Sequence, residues 1–339
     1  MAHAQEAEAT EEPVAEDAAA TAEEEIVSED EIASSSYQTA FDKARKAWTP
    51  FEDASLTSEE IDDDILYVLG NVANTMFHEF AHALVSELAI VVLGKEEDAV
   101  DGFANMIMAS NESDPALDKM IVAVAEDYFA SGNFADEASD VSYAYDEHSL
   151  NAQRAFNVIC LLVGAKPEQF KSAADNAGMP PERQDSCAND YADTLANWDT
   201  VLTPHYLNDG EAPKAKITIT YGKPAEGQEG IAAMLKASGI VESVTKEITE
   251  WIRMPNNIAV AIEACGEENA FWSPSNLKLT ICYELASGYM DRALTQGQVA
   301  EGEEAAPAGG GESEAVEEDF EAAEEGVEEE TEEPAEAAR

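Results

Sequence analysis

The chain has 339 residues, with 72 Asp or Glu against 18 Lys or Arg, a formal net charge of −54. That length is enough for two domains, but so lopsided a charge excludes a chain that is compact throughout. An acidic surface repels nucleic acid and anionic lipid, so neither is expected as a partner, and no run of about 18 apolar residues is present to span a membrane.

The excess charge is uneven. Residues 1–36 carry twelve acids and no Lys or Arg, and residues 299–339 carry seventeen acids against the single Arg339. Both ends are rich in Ala and poor in large apolar residues, and so cannot bury enough surface to offset their ordering entropy. They read as disordered acidic tails. The start, "MAHAQEAEAT", contains Ala-His-Ala, a small-x-small pattern with no apolar stretch ahead of it. A chain whose export signal was replaced by Met1 would begin this way, and so would an ordinary Ala-rich tail. About 260 residues remain, with a net charge of −26. They suffice for a real core, and their acidity reads as a solvated surface suited to salt rather than a patch for a cationic partner.

From Thr57 the pattern is helical. Thr57 and Glu60 have capping-box spacing, acids crowd the first turn, and an apolar stretch runs from Ile65 to Val92 before Gly94. A second helix is expected from near Lys95 through "EEDAVDGFANMIMA", with others in 115–131, 149–164 and 188–201. This first domain, 37–210, is read as helical. Beyond "NDGEAPK" the character changes. "AKITITYG" alternates as a strand does, "EGIAAMLKASGIVESVTKEITEWI" reads as one or two helices broken near Gly239, and "NIAVAIEAC" and "LKLTICYEL" read as strands around "NAFWSPSN". A closing helix ends near Gly297. Residues 211–298 therefore read as a small α+β domain, and the fold class as α+β.

Cys160, Cys187, Cys265 and Cys282 fall two in each domain, with no CxxC spacing that would favour a thiolate zinc site or a redox pair. Cys265 and Cys282 are nearly symmetric about "SPSN" and would face each other in a hairpin. The expected pairs are Cys160–Cys187 and Cys265–Cys282, with buried free thiols as the alternative. Two disulfides fit an exported protein, periplasmic or extracellular.

The stretch "NTMFHEFAHALVSEL" places two of the five histidines four residues apart, with a glutamate after the first. On a helix, His78 and His82 lie one turn apart on one face and can present both imidazoles to one ion, with Glu79 beside it. A catalytic zinc takes three protein ligands and keeps a fourth position for water, whose proton an adjacent carboxylate such as Glu79 can accept. The compact metzincin continuation, with glycine and a third histidine, is excluded because Val85 and Leu88 occupy those two places. "GKEEDAVDGFA" instead offers Glu97 and Asp101 in E-x-x-x-D spacing. That arrangement resembles the Glu-zincins, the thermolysin-like and neprilysin-like enzymes, and implies Glu97 as third zinc ligand and Asp101 as the acid orienting a ligand histidine. A short antiparallel helix pair closed at Gly94 would bring Glu97 back to the histidines. Glu96, about a quarter turn away, is the second choice.

Five stretches in order, "LGNVANTMFHEFAHAL", "VLGKEEDAVD", "DEHSLNAQRAFNVICLLVG", "PPERQDSCANDY" and "CGEENAFWSPSNLKLTICYEL", resemble a bacterial family of zinc-metallopeptidase-like proteins known only as a domain of unknown function. The resemblance spans about residues 60–290. Ala81 stands where that family usually has glycine inside HExxH, and "LAIVVLG" lacks its customary proline; neither position binds zinc. No substrate comes with the resemblance beyond a peptide or protein.

Three further features bear on catalysis. His148, with Asp146 nearby, is a candidate to polarise the substrate carbonyl as oxyanion stabiliser. Arg154 either holds a substrate carbonyl or pairs with an acid. "ENAFWSPSN" is similar to the Asn-Ala-aromatic-aromatic segment on the edge strand of thermolysin-like enzymes, which implies Asn269 and Ala270 as substrate-binding residues in circularly permuted order; otherwise Phe271 and Trp272 simply fill a core. His205 reads as structural and His3 as part of the tail. The competing reading of the whole chain is a non-catalytic cell-envelope protein with a structural or vestigial zinc site.

Overall fold

The computed structural model describes residues 25–27, 36–48, 56–110, 114–132, 137 and 139–300. His3, the Ala-His-Ala start, most of residues 1–36 and residues 301–339 lie outside the described residues. Those that are described form an α+β structure dominated by helices.

The helices in chain order are α1 (Tyr37–Ala47), α2 (Ser58–Glu87), α3 (Glu96–Ser110), α4 (Pro115–Ser131), α5 (Asn151–Ala165), α6 (Pro167–Asn176), α7 (Pro181–Leu202), α8 (Glu229–Ser238), α9 (Ile240–Thr249) and α10 (Tyr283–Ala300). Helix α2 is the axis of the fold. Its N-terminus is closed by the Thr57–Glu60 capping box, in which Thr57 Oγ1 accepts from Glu60 N–H and the Glu60 carboxylate accepts from Thr57 N–H. From Asp64 to Val85 nearly every residue is buried. A helix apolar on all sides belongs inside a structure rather than on its surface, and α3, α4, α9, α10 and the sheet all pack against α2. Leu69, Phe77 and Leu84 lose all their exposure, and each contributes about 1.5–3 kcal/mol by leaving water. None of the described helices is long and apolar enough to cross a membrane.

Five strands make one sheet in the order β1-β2-β3-β5-β4: β1 (Glu25–Val27), β2 (Ile217–Tyr221), β3 (Ile258–Glu263), β4 (Ala270–Ser273) and β5 (Lys278–Cys282). Strands β2, β3 and β5 run parallel, while β1 and β4 pair antiparallel at the two edges. The β2–β3 crossover is the helix pair α8–α9, broken at Gly239, whose φ of 70° lies in the left-handed region that glycine occupies without steric cost.

The second disulfide forms by a different geometry from the hairpin expected of the sequence. The two flanking strands, β3 and β5, are parallel neighbours, and "AFWS" is itself the antiparallel edge strand β4. Glu263 is in register with Cys282, so the chain leaving β3 passes beside the end of β5 and brings Cys265 to Cys282, with Cα atoms 5.4 Å apart. Cys160 and Cys187 join α5 to α7, with Cα atoms 5.0 Å apart.

Helices α2 and α4 meet at Gly70, where a Cβ would stand 2.4 Å from the Met120 carbonyl oxygen. Backbone cannot yield as a flexible side chain does, so Gly70→Ala is expected to destabilise the fold by about 1–3 kcal/mol, the usual scale of overpacking. Thermal melting of that variant checks this; an unchanged melting temperature would show that the helices part freely.

Candidate metal centre

The turn between α2 and α3 is short because Ala89 and Gly94 take positive φ, 52° and 129°. The chain reverses within it and returns the first turn of α3 to the C-terminal half of α2. His78 and His82 on α2 then face Glu97 on α3. The His78 and His82 Nε2 atoms are 3.2 Å apart, and Glu97 Oε2 lies 3.2 Å from the first and 3.4 Å from the second. A tetrahedral zinc with bonds of about 2.0–2.1 Å would separate its ligand atoms by roughly 3.3 Å. The three atoms therefore already mark three corners of that figure.

The donor chemistry fits a cation as well as the distances do. His78 Nδ1 is 2.8 Å from Asp101 Oδ1, and His82 Nδ1 is 2.8 Å from Glu96 Oε1. Each carboxylate is placed to accept a proton from Nδ1, which turns Nε2 toward its neighbours. Glu97 Oε2 is buried and makes no hydrogen bond of good geometry. Lone pairs converging this closely repel unless a proton or a metal lies between them. Burial works against a charge on His78, but the carboxylates of Asp101 and Glu97 facing its two ring nitrogens outweigh it and raise this imidazole to about 9. The facing imidazoles of His148, His78 and His82 hold the Glu97 carboxyl well below the usual carboxylate range.

Asp101 is gripped from its other side. Arg154 donates from Nε to Oδ2 at 2.7 Å and from Nη2 to Oδ1 at 2.8 Å, and its guanidinium lies 4.4 Å from the centre of the Tyr128 ring. Burial opposes the Asp101 charge, yet the bonds from His78 and Arg154 keep its carboxyl down at about 2. Of the two roles open to Arg154, the fold displays the pairing with an acid.

His148 comes from the loop before α5. Its Nε2 is 3.1 Å from Glu97 Oε2, its ring stacks on His78 at 6.2 Å, and Asp146 Oδ1 lies 3.5 Å from its Nδ1. Among the described residues, His78, Glu97 and His148 form one cluster able to hold a metal ion. Lys95 Nζ donates to the backbone oxygens of Asp146 and His148, both at 3.1 Å, fastening this loop to the start of α3.

Glu79 is buried beside the histidines. Burial raises its carboxyl above the ordinary value, against the pull of His78, His82 and a hydrogen bond from the Trp272 backbone N–H. That bond brings edge strand β4 to the metal cluster, and Trp272 Nε1 also donates to Ser86 Oγ at 2.8 Å. Asn269 and Ala270 lie just upstream on the same edge. Asn269 is exposed and its carbonyl accepts from Cys282 N–H at 3.0 Å. His205 forms part of a short 3₁₀ turn after α7, and its carbonyl accepts from Arg253 N–H.

Sequence reasoning missed the part played by Glu96. A pair of histidines turned toward one point each calls for an Nδ1 acceptor, whereas the spacing argument supplied one acid, Asp101; that second requirement was the available signal. The Trp272 contact had no signal in the motif.

A family model described as "Putative metallopeptidase" matches residues 32–202 and 221–315, most of the chain. The chain belongs to this family. No curated protein and no solved structure matches it. A metallopeptidase is a hydrolase acting on peptide bonds with the help of a metal, so the family supplies the class of reaction and the His/Glu cluster a place where a metal can be held.

Loss of an outer carboxylate should weaken the metal without abolishing it. Glu96→Ala and Asp101→Asn are each expected to lower zinc affinity by about 10–100-fold, measured by competition with a chromogenic chelator. Wild-type affinity in both would separate these acids from the metal site.

Proposed function

We propose that the protein is a zinc-dependent metallopeptidase of Glu-zincin type, in which His78, His82 and Glu97 hold one zinc ion and Glu79 is the general base. The observation that carries this reading is the convergence of the two Nε2 atoms and Glu97 Oε2 at 3.2–3.4 Å, with Glu79 adjacent in sequence to His78. When bound, zinc supplies a Lewis acid that polarises a carbonyl and lowers the pKa of water to about 7.

The chain's own groups do the rest. Glu79, its basicity raised by burial, takes the proton of the attacking water and passes it to the departing amine nitrogen. His148 donates from Nε2 to the carbonyl oxygen as negative charge builds there, and Asp146 stands at its other ring nitrogen, Nδ1. Arg154 has Nε and Nη2 committed to Asp101, which leaves Nη1 for a substrate carbonyl.

Strand β4 orients the substrate. Asn269 faces Cys282 as a hydrogen-bonded pair, so alternation along an antiparallel ladder turns the N–H and C=O of Ala270 and Trp272 toward the outer edge. Glu79 takes the Trp272 N–H. The Ala270 groups can pair with an extended peptide, and the Asn269 side chain can grip one of its amides, in the permuted order of a thermolysin-like cleft. The two disulfides favour an oxidising compartment, so we place the work of this enzyme outside the cytoplasm, periplasmic or extracellular.

Glu79→Gln is expected to keep one zinc per chain and to lower turnover of an unfolded protein substrate by at least about a hundredfold, whereas Glu97→Ala loses the metal. Metal analysis alongside a cleavage assay reads both; wild-type turnover by Glu79→Gln, or a zinc-loaded wild type inert on every peptide, rejects the reading.

Asn269→Ala is expected to lower kcat/KM by about tenfold, the loss of one polar substrate contact, with zinc content and melting temperature unchanged. Unaltered kinetics would remove β4 from the cleft.

A further inference from the structure

Asp64 lies on α2 fourteen residues before His78, roughly 21 Å away along the helix axis. It lines a cavity of about 830 Å³ between the first turns of α2, helix α4 and the α6 segment. Asp64 is 8% exposed, and its Oδ2 is buried with no hydrogen-bond partner. A buried carboxylate without a partner costs several kcal/mol if it stays charged, so native structures pair or neutralise such groups. Burial, then Asp63 and Glu60, raise the Asp64 carboxyl to about 6, so a good part of it is still ionised at neutral pH.

The cavity is built to complement a cation. Glu60, Asp63 and Glu126 line it together with Asp64. Lys119 also lines the cavity, exposed and 3.4 Å from Asp63, and Lys166 is paired with Asp118 at 2.7 Å. Leu66, Val122, Phe170 and Leu294 supply apolar wall between the acids. Three metal-ligating atoms close enough to hold an ion occur elsewhere among the described residues, and not here. Separated carboxylates on an apolar wall suit an ammonium group carried on a carbon chain, whose methylenes cover the wall while the charge meets Asp64.

We propose that this cavity is a binding site for a primary alkylammonium ligand, with Asp64 as counter-ion and Glu126 as a second contact. The ligand is either a free aliphatic polyamine or a lysine side chain presented by a peptide. The site is separate from the metal cluster, and the proposal stands whether or not the chain cleaves peptides.

The test is calorimetry and thermal melting of the full chain at physiological salt, with spermidine and with Nα-acetyl-lysine amide as the two probes and magnesium as control. Asp64→Asn removes a charge that has no partner, so this variant is expected to fold. The expected result is a saturable single site in the wild type for at least one amine. Asp64→Asn should weaken it at least about tenfold, as loss of a buried charge partner does, and Glu126→Gln by several fold. Spermidine binding alone assigns the site to free polyamines, and acetyl-lysine amide binding alone assigns it to a lysine side chain. Equal binding by wild type and Asp64→Asn would mean that the amines only screen the acidic surface. Magnesium binding of equal strength would mean a metal-ion site, and no saturable binding an empty cavity; each of these overturns the proposal.

Discussion

The structure depends on holding one carboxylate oxygen against three imidazole nitrogens inside a pair of largely apolar helices. Glu97 Oε2 lies within 3.4 Å of the Nε2 atoms of His78, His82 and His148. Charged and polar groups taken out of water at such a spot are costly unless each is bonded on its other side. The fold meets that requirement outward from the cluster. Asp101 and Glu96 bond His78 and His82, Arg154 bonds Asp101 through two nitrogens, and Tyr128 backs Arg154. The network therefore fixes ring tautomers as well as positions, and it consumes residues from α2, α3, α4 and α5. These four helices cannot slide on one another without unpairing a buried charge.

Much of this was legible in the chain because helices announce themselves locally. Spacing of four put His78 and His82 on one face, Thr57 and Glu60 marked the start of α2, and the pairing of the cysteines by domain matches the two disulfides. What the sequence hid was partnership between segments distant in the chain. Alternation in "NIAVAIEAC" and "LKLTICYEL" identifies strands but carries no information about which strand each will lie beside, and the hairpin expected between them is a parallel pair. Residues 25–27, inside a stretch read by composition as a tail, pair with β2 because three residues of strand need only an open edge and not a core of their own. Glu96 was passed over for a related reason: its position beside Glu97 suggested an alternative to it, whereas a half-exposed acid one residue earlier on the helix can serve the second histidine at the same time.

Strand β4 comes far after α2 in the chain, yet it reaches the residue adjacent to the first histidine. What makes this possible is that α2 is shared. The same helix carries His78, Glu79 and His82 on one side and receives α10 and β4 on others, with the Thr75 and Tyr289 hydroxyls 2.8 Å apart across the α2–α10 contact. Strand β5 runs directly into α10, and the Cys265–Cys282 disulfide ties the segment leading to β4 to the end of β5. Edge strand, disulfide and α10 are therefore one unit braced on α2, and the separation between metal ligands and strand is set by packing rather than by chain order.

That bracing has a chemical consequence for Glu79. Burial pushes its carboxyl up, and the forces pulling it down are the two histidines and the Trp272 backbone N–H. The first two belong to the His/Glu cluster, and the third to edge strand β4. A neutral donor of this kind lowers the basicity of a carboxylate only while it keeps hydrogen-bond distance. Glu79 is thus coupled to the backbone of edge strand β4, and α2 is the element through which the two are held in register.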